Sequence, residues 1–239
     1  MVAVAVFVGS ALNSLVGFGF ALVTVPLMAV AVGPKDAVVL SALFGLLSNG
    51  GVALRHRDDA EVPVLRRLVA GALVGMPVGL MVLIVVPEAP LEAAIGVVVL
   101  VSVLLMARGW VIEDPPPALD VAAGVATGLL NTSVGVSGPP VVMDLQGRRL
   151  PKGPFRATSS AVFGINGVVA LALFAISGQI HPEVAAAAAL ALPAWPAGWV
   201  VGDVLHRRFP DDRFRGLVLV LLAVTGFVTV AGAVAGAVL

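Results

Sequence analysis

The sequence predicts an all-α polytopic membrane protein built from two inverted-topology repeats, each a re-entrant helical hairpin followed by three transmembrane helices. Three observations carry that prediction. Of the 239 residues, 59% are hydrophobic and only 12% are charged, where a soluble domain carries about 25% charged residues. A polar, glycine-bearing break occurs twice, once in each half. The Lys and Arg residues fall on opposite loops in the two halves.

The composition also excludes. With 14 basic and 14 acidic residues the net charge is zero, so nothing favours a nucleic-acid partner. There is no cysteine, which removes thiol catalysis, disulfides and thiolate metal sites. Mean hydropathy is +1.08, in the range of a chain that lives mostly in lipid. The start, "MVAVAVFVGS", lacks the basic n-region of a signal peptide and has an internal counterpart, so it reads as mature structure.

A spanning helix needs about 20 apolar residues. The first repeat, 1–112, holds a hairpin over 2–32 and spans at 37–54, 64–86 and 91–112. A linker follows at 113–118 within "EDPPPALD". The second repeat, 119–239, holds a hairpin over 119–145 and spans at 157–177, 184–205 and 216–238. Polar or Pro-rich stretches such as "RHRDDAEVP", "QGRRLPKGPFR" and "HRRFPDDRFR" separate the runs.

The halves match in register. Asn13 pairs with Asn131 and Gly17 with Gly135 at an offset of 118. "SALFG" at 41–45 pairs with "SAVFG" at 160–164, Pro63 with Pro182, and "PVGL" at 77–80 with "PAGW" at 196–199, all at 119. Gly96 pairs with Gly216 at 120, a slow drift of the kind that small loop insertions produce.

Charge sets the orientation. Loop 55–67 carries Arg55, Arg57, Arg66 and Arg67, and its counterpart near 177–184 carries none. Loop 87–90 carries none, and its counterpart 206–215 carries Arg207, Arg208, Arg213 and Arg215. Loop 33–36 has Lys35 alone against Arg148, Arg149, Lys152 and Arg156 in 146–156. With 55–67, 146–156 and 206–215 cytoplasmic, 91–112 runs inward. Segment 119–145 then begins and ends on the same side, so it enters, breaks at mid-depth and returns. By the repeat, 2–32 does the same from outside. Three further spans per half make the halves inverted.

The breaks read "NSLVGFG" at 13–19 and "NTSVGVSGPP" at 131–140. Non-helical backbone at membrane depth is tolerated only where protein buries it or it lines a wet cavity. Gly17, Gly19, Gly135 and Gly138 allow the backbone angles of a tight reversal. Ser137 or Gly138 suits the N-cap of the returning helix, and Pro139 its first position. Asn13 and Asn131 can satisfy carbonyls that end the incoming helix and still offer an amide donor. The returning helices start near Phe20 and Pro139. Two helix N-termini facing one another make an anion site without a buried Lys or Arg. Broken helices at matching places in inverted repeats mark a transporter's site.

Single small residues in membrane helices are more often packing devices, and Gly45, Gly75, Gly79, Gly164 and Gly198 are read that way. Intramembrane ionisable groups are few. Asp144, ending the second hairpin, suits a solvated or Arg-paired place as well as proton coupling. Asp203, beside His206, suits capping or pairing with Arg207 and Arg208 as well as proton coupling. Arg156 serves as a topology signal or as an anion guide. His56 and His181 fall in loops and read as solvated. Trp195 and Trp199, four residues apart on one helix, read as packing or interface anchors. No hydrolase motif, paired intramembrane carboxylates or P-loop occurs, so no enzyme, metal or cofactor is expected.

At these residues the chain resembles a known family. "GFGFALVTVPL", "GVSGPPVVMDL" followed by "PFRATSSAVF", and the Gly-x-Pro-x-Gly types at 75–79 are similar to the TauE/SafE sulfite exporter family over nearly the whole chain. The resemblance implies export of sulfite or small organosulfonates such as sulfoacetate from the bacterial cytoplasm. It implies a binding site from Asn13, Ser14, Gly17 and Gly19, from Asn131, Thr132, Ser133, Gly135, Ser137 and Gly138, with Arg156 and Thr158 nearby. One departure is the "GFGF" of the first break, where many relatives carry a longer glycine run. The expected partners are a small anionic substrate and the lipid bilayer; small-residue faces allow a homodimer without demanding one. Three other readings stand beside alternating-access export. An anion channel or uniporter would use the same site. A cation-coupled transporter would use backbone carbonyls with Asp144 or Asp203. A non-transporting scaffold would need no polar groups at mid-depth.

Overall fold

The computed structural model describes residues 1–16, 19–109 and 112–206. Among them all regular structure is helical. The helices are α1 (Val2–Val16), α2 (Phe20–Val32), α3 (Pro34–Arg55), α4 (Val62–Val85), α5 (Glu88–Arg108), α6 (Pro117–Ser133), α7 (Gly138–Gly147), α8 (Lys152–Ile176), α9 (Pro182–Ala191) and α10 (Ala194–His206). A single 3₁₀ turn, Arg57–Asp59, precedes α4. Proline sits in the first turn of α3, α4, α6, α7 and α9, where a missing N–H costs nothing. Asp36 in the first turn of α3 and Arg55 in its last complement the helix dipole.

Five segments are long and apolar enough to cross a membrane: Pro34–Arg55, Val62–Val85, Glu88–Leu105, Lys152–Ile176 and Pro182–Leu205. They match the first five expected spans. The last is interrupted at Leu192–Pro193, between α9 and α10, where the proline cannot continue the backbone ladder. The expected sixth span, 216–238, lies outside the described residues, as do Arg207, Arg208, Arg213 and Arg215. Only 22% of the Pro182–Leu205 window is buried inside the protein, yet its outward side chains are apolar apart from Glu183 and Asp203 near the two ends. Leu190, 80% exposed, and Ile176, 85% exposed, would be costly in water and are at home in hydrocarbon.

The runs 2–32 and 119–145 are each long enough to span, but neither forms one helix. The first divides into α1 and α2, the second into α6 and α7, and in each pair the two helices pack on one another. The returning helices start at Phe20 and Gly138, the same offset of 118 that separates Asn13 from Asn131. The long helices that follow, starting at Pro34 and Lys152, keep that offset.

Between apolar helices in lipid, association rests on close van der Waals fit, so small residues collect at interfaces. On α4, a Cβ added at Gly71, Gly75 or Gly79 would collide with the carbonyl oxygens of Val121, Val125 and Leu129 on α6. Gly198 and Gly202 of α10 press in the same way on the Phe7 and Ala11 carbonyls of α1. The packing reading of Gly75, Gly79 and Gly198 agrees with this. The partner carbonyls are again 118 apart, Phe7 with Val125 and Ala11 with Leu129. The contacts therefore pair Gly198 with Gly75, one helical turn from the Gly79 that the sequence match paired it with. The shift lies just beyond the α9–α10 break.

The main apolar core gathers Leu22, Met28, Leu40, Phe44, Leu83, Ile95 and Phe174, from α2, α3, α4, α5 and α8. A smaller one joins Val64 and Leu68 of α4 to Val141 and Leu145 of α7 and Val162 of α8. Trp195 Nε1 donates to Ser48 Oγ at 2.9 Å and ties α10 to α3. Val134 and Val136 of the second break, and Phe20 and Leu22 that follow the first, belong to the main core.

A candidate anion site where the two breaks meet

Gly19 caps the start of α2 at φ 97° and ψ 1°, a left-handed conformation that only glycine adopts cheaply. Gly135 has φ 73°. A Cβ there would stand 3.0 Å from Val25 Cγ2 and 3.3 Å from Val38 Cα, so the second break is seated on α2 and α3. Glycine is needed at Gly135 twice over, for conformation and for space. Gly138 is already helical as the first residue of α7. Ser137 is the N-cap, as expected, but its hydroxyl makes no capping bond. Gly17 lies outside the described residues.

The two breaks share one cavity of about 50 Å³. It is large enough to hold water or a small ion. From the first hairpin it is lined by Asn13 and by Gly19, Phe20, Ala21 and Leu22. From the second it is lined by Asn131, Gly135, Ser137 and Gly138. Ser41, Gly45 and Asn49 of α3 and Phe163 and Gly167 of α8 close the sides.

Among the described residues, none that lines this cavity carries a charge at neutral pH. Its electrostatics come from helix ends. The N–H groups of Phe20, Ala21 and Leu22 belong to the first turn of α2 and have no acceptor within that helix. The end of α7 is poorer in donors, because Pro139 and Pro140 occupy its second and third positions and leave the N–H of Gly138. Each end still carries a partial positive charge of roughly half a unit.

The amides add directed polarity. Asn13 is 4% exposed, and its Oδ1 has no hydrogen-bond partner. Asn131 reaches out of its own hairpin, its Nδ2 lying 3.5 Å from the Asn166 carbonyl on α8. Asn49 donates through Nδ2 to the Gly45 carbonyl at 2.8 Å, and its Oδ1 has no partner.

Six of the expected residues thus meet in one place: Asn13, Gly19, Asn131, Gly135, Ser137 and Gly138. Others sit elsewhere. Ser14 is buried but does not line the cavity. Thr132 Oγ1 donates to the Met76 carbonyl at 2.7 Å, bonding α6 to α4. Ser133 Oγ donates to the Leu129 carbonyl in its own helix at 2.7 Å. Thr158 Oγ1 accepts the N–H of Glu61 at 2.9 Å and so closes the start of α4. Arg156 is exposed in the first turn of α8, and Asp203 lies on the exposed face of α10. His181, read as solvated, has Nε2 3.5 Å from Asp36 Oδ1. Gly45 lines the cavity, and a Cβ on it would meet nothing within 4 Å, so it keeps space open where close packing was expected.

Sequence reasoning passed over Ser41, Asn49 and Asn166. The signal was present: "SNGG" at 48–51 and "INGV" at 165–168 place an Asn-Gly pair deep in each long span after the matched "SALFG" and "SAVFG". It also passed over Asp120. That residue is fully buried, accepts from Arg67 Nε at 2.5 Å and from Arg148, and so joins α4, α6 and the end of α7. Asp144 completes the cluster, its Oδ2 3.6 Å from Arg148 Nε. Of the two places expected for Asp144, the Arg-paired one is observed.

The whole chain, residues 1–239, matches the family described as Sulfite exporter TauE/SafE. Over 218 residues it is 26% identical to the "Probable sulfite/organosulfonate exporter TauE" of Cupriavidus necator, covering 84% of this chain and 80% of that relative. No solved structure matches the chain. The chain belongs to the sulfite exporter TauE/SafE family and is a multi-pass transporter of the bacterial cytoplasmic membrane.

Proposed function

We propose that the protein exports a small sulfur oxyanion by alternating access, with the anion held between the N-termini of α2 and α7. The observation that carries this reading is the uncharged cavity that both breaks line. Helix N-termini bind oxyanions through free N–H groups and the dipole, and here no cation competes for that role. The relative named as a sulfite/organosulfonate exporter supports the substrate class. An inside-negative potential drives a monoanion outward by about 2.3 kcal/mol per 100 mV.

Alternating access asks for two bodies that rock about a central site. The division into repeats 1–112 and 119–239, joined by 113–118, provides them. The shared offset of the breaks, of the helix starts and of the glycine-to-carbonyl contacts supports it. Asp144 and Asp203 are the carboxylates available should a proton accompany the anion.

The decisive experiment is sulfite efflux from proteoliposomes under an imposed potential, with sulfoacetate, sulfate and chloride as competitors. Saturable efflux that an inside-negative potential speeds is expected, with an organosulfonate competing more weakly than sulfite itself. Efflux that never saturates points to a channel through the same site, and absence of sulfite flux from folded protein defeats the substrate assignment. Single cysteines test the inverted topology in this cysteine-free chain. Labels at 58 and 150 should react from the cytoplasm and one at 180 from outside. Labelling of 58 and 150 from opposite sides would end the hairpin argument.

A further inference from the structure

We propose that the anion bound in this cavity brings a hydrogen-bond donor of its own, so that the protein selects singly protonated bisulfite over the sulfite dianion, with Asn49 as the residue that reads the proton. The inference rests on the exporter reading above and deepens it.

Two independent observations carry it. The first is an acceptor with no partner. Asn49 is 6% exposed and lines the cavity. Its Nδ2 is committed to the Gly45 carbonyl one turn back at 2.8 Å, which settles which end of the amide is which. The remaining polar atom, Oδ1, is buried without a partner. Asn13 Oδ1, on the same cavity, is in the same condition. A buried acceptor left unsatisfied is costly, and a site built around one rejects ligands that cannot donate to it. Sulfite dianion has oxygen lone pairs only. Against two carbonyl oxygens it would add repulsion to the missing bonds. Bisulfite has the same framework and one proton to give.

The second observation is the charge balance. No Lys, Arg or His lines the cavity among the described residues. Its positive potential comes from two helix ends of roughly half a charge each, which together suit one negative charge. A second negative charge would stand uncompensated in a low-dielectric site. The ionisable groups of the surrounding helices lie off the cavity lining: Lys35, Asp36 and Arg55 in α3, Asp120 in α6, Asp144 in α7, Lys152 and Arg156 in α8, with none in α1 or α2. The cavity itself contributes no group that titrates, so the pH dependence of binding reports the ligand's proton.

The test is equilibrium binding to the intact protein in nanodiscs, as a series across the pH range in which bisulfite loses its proton. Methanesulfonate serves as a monoanion that does not titrate and cannot donate. The expected result is that the dissociation constant for total sulfite rises about tenfold per pH unit above that ionisation, while the constant for methanesulfonate stays flat and weaker. Asn49→Leu should bring the two ligands toward parity by weakening sulfite more than methanesulfonate. Sulfite affinity that is flat with pH, or that improves as the dianion forms, overturns the proposal. So does a methanesulfonate constant that rises in parallel, since the protein would then be titrating. The wild-type series decides even if the Leu variant fails to fold. Sulfite binding that ignores the proton leaves the exporter reading intact, whereas failure of sulfite to bind at every pH removes that reading itself.

Discussion

The first broken segment, α1 and α2, and the second, α6 and α7, share a motif and differ in what holds them. Neither α1 nor α2 contains a charged residue. The first segment is held by apolar packing and by the pressure of Gly198 and Gly202 on the α1 backbone. The second carries Asp120 and Asp144, and these join Arg67 and Arg148 in a buried ionic cluster. The positions 118 residues before Asp120 and Asp144 are Val2 and Pro26, so the cluster has no twin. Their helix ends differ as well, with free N–H groups along α2 and a Pro-Pro pair opening α7. The shared motif makes the break; the anchoring of each break is written separately, in residues the motif does not contain.

The largest effect that would break this comparison is loss of the cluster's centre. Asp120→Ala leaves two guanidinium groups facing an empty, buried position and should cost about 3–5 kcal/mol. Thermal unfolding in detergent should show it as the steepest loss among single polar substitutions in either hairpin. A wild-type melting temperature would mean that the cluster anchors nothing.

Next come the two glycines of the breaks. Gly19→Ala meets nothing within 4 Å and pays only for its left-handed backbone, about 1–2 kcal/mol. Gly135→Ala pays that and also presses on Val25 and Val38, adding about 1–3 kcal/mol. The order of the two melting temperatures is the measurement; Gly19→Ala as the worse of the pair would contradict the seating of the second break on α2 and α3.

The smallest effect sharpens the functional half of the comparison. Asn13→Ala and Asn131→Ala should each weaken sulfite binding by about fivefold to tenfold, the net worth of one ordinary hydrogen bond. Melting temperatures should change little. Unchanged binding in both variants would remove the site from the breaks.

The two Asn residues were legible because they recur at a fixed offset beside glycines in apolar runs. Asn49 was not singled out, although an Asn deep in a span is visible, because nothing local says which side of α3 meets the cavity. Thr158 lies in the "PFRATSSAVF" stretch that carries the family resemblance, and that resemblance alone places it near the anion. In the fold it accepts from Glu61, 97 residues away, and that pairing follows from how α8 lies along the start of α4. Asp120 was counted near a linker because Pro-rich, acidic sequence normally stays in water. Its burial depends on Arg67 and Arg148 arriving from two other helices.

By itself the sequence determined the solvent and where a break is permitted: a chain this apolar is helical in lipid, and the two recurring glycine-bearing stretches allow its helices to stop at mid-run, because these are properties of each residue and its immediate neighbours. The tertiary structure alone decided which polar groups face the shared cavity and which are spent on holding helices together. Both kinds of group look the same along the chain. They separate only when α3 packs on α8 and α4 on α6, since a hydroxyl or amide takes whatever partner the packing brings within reach.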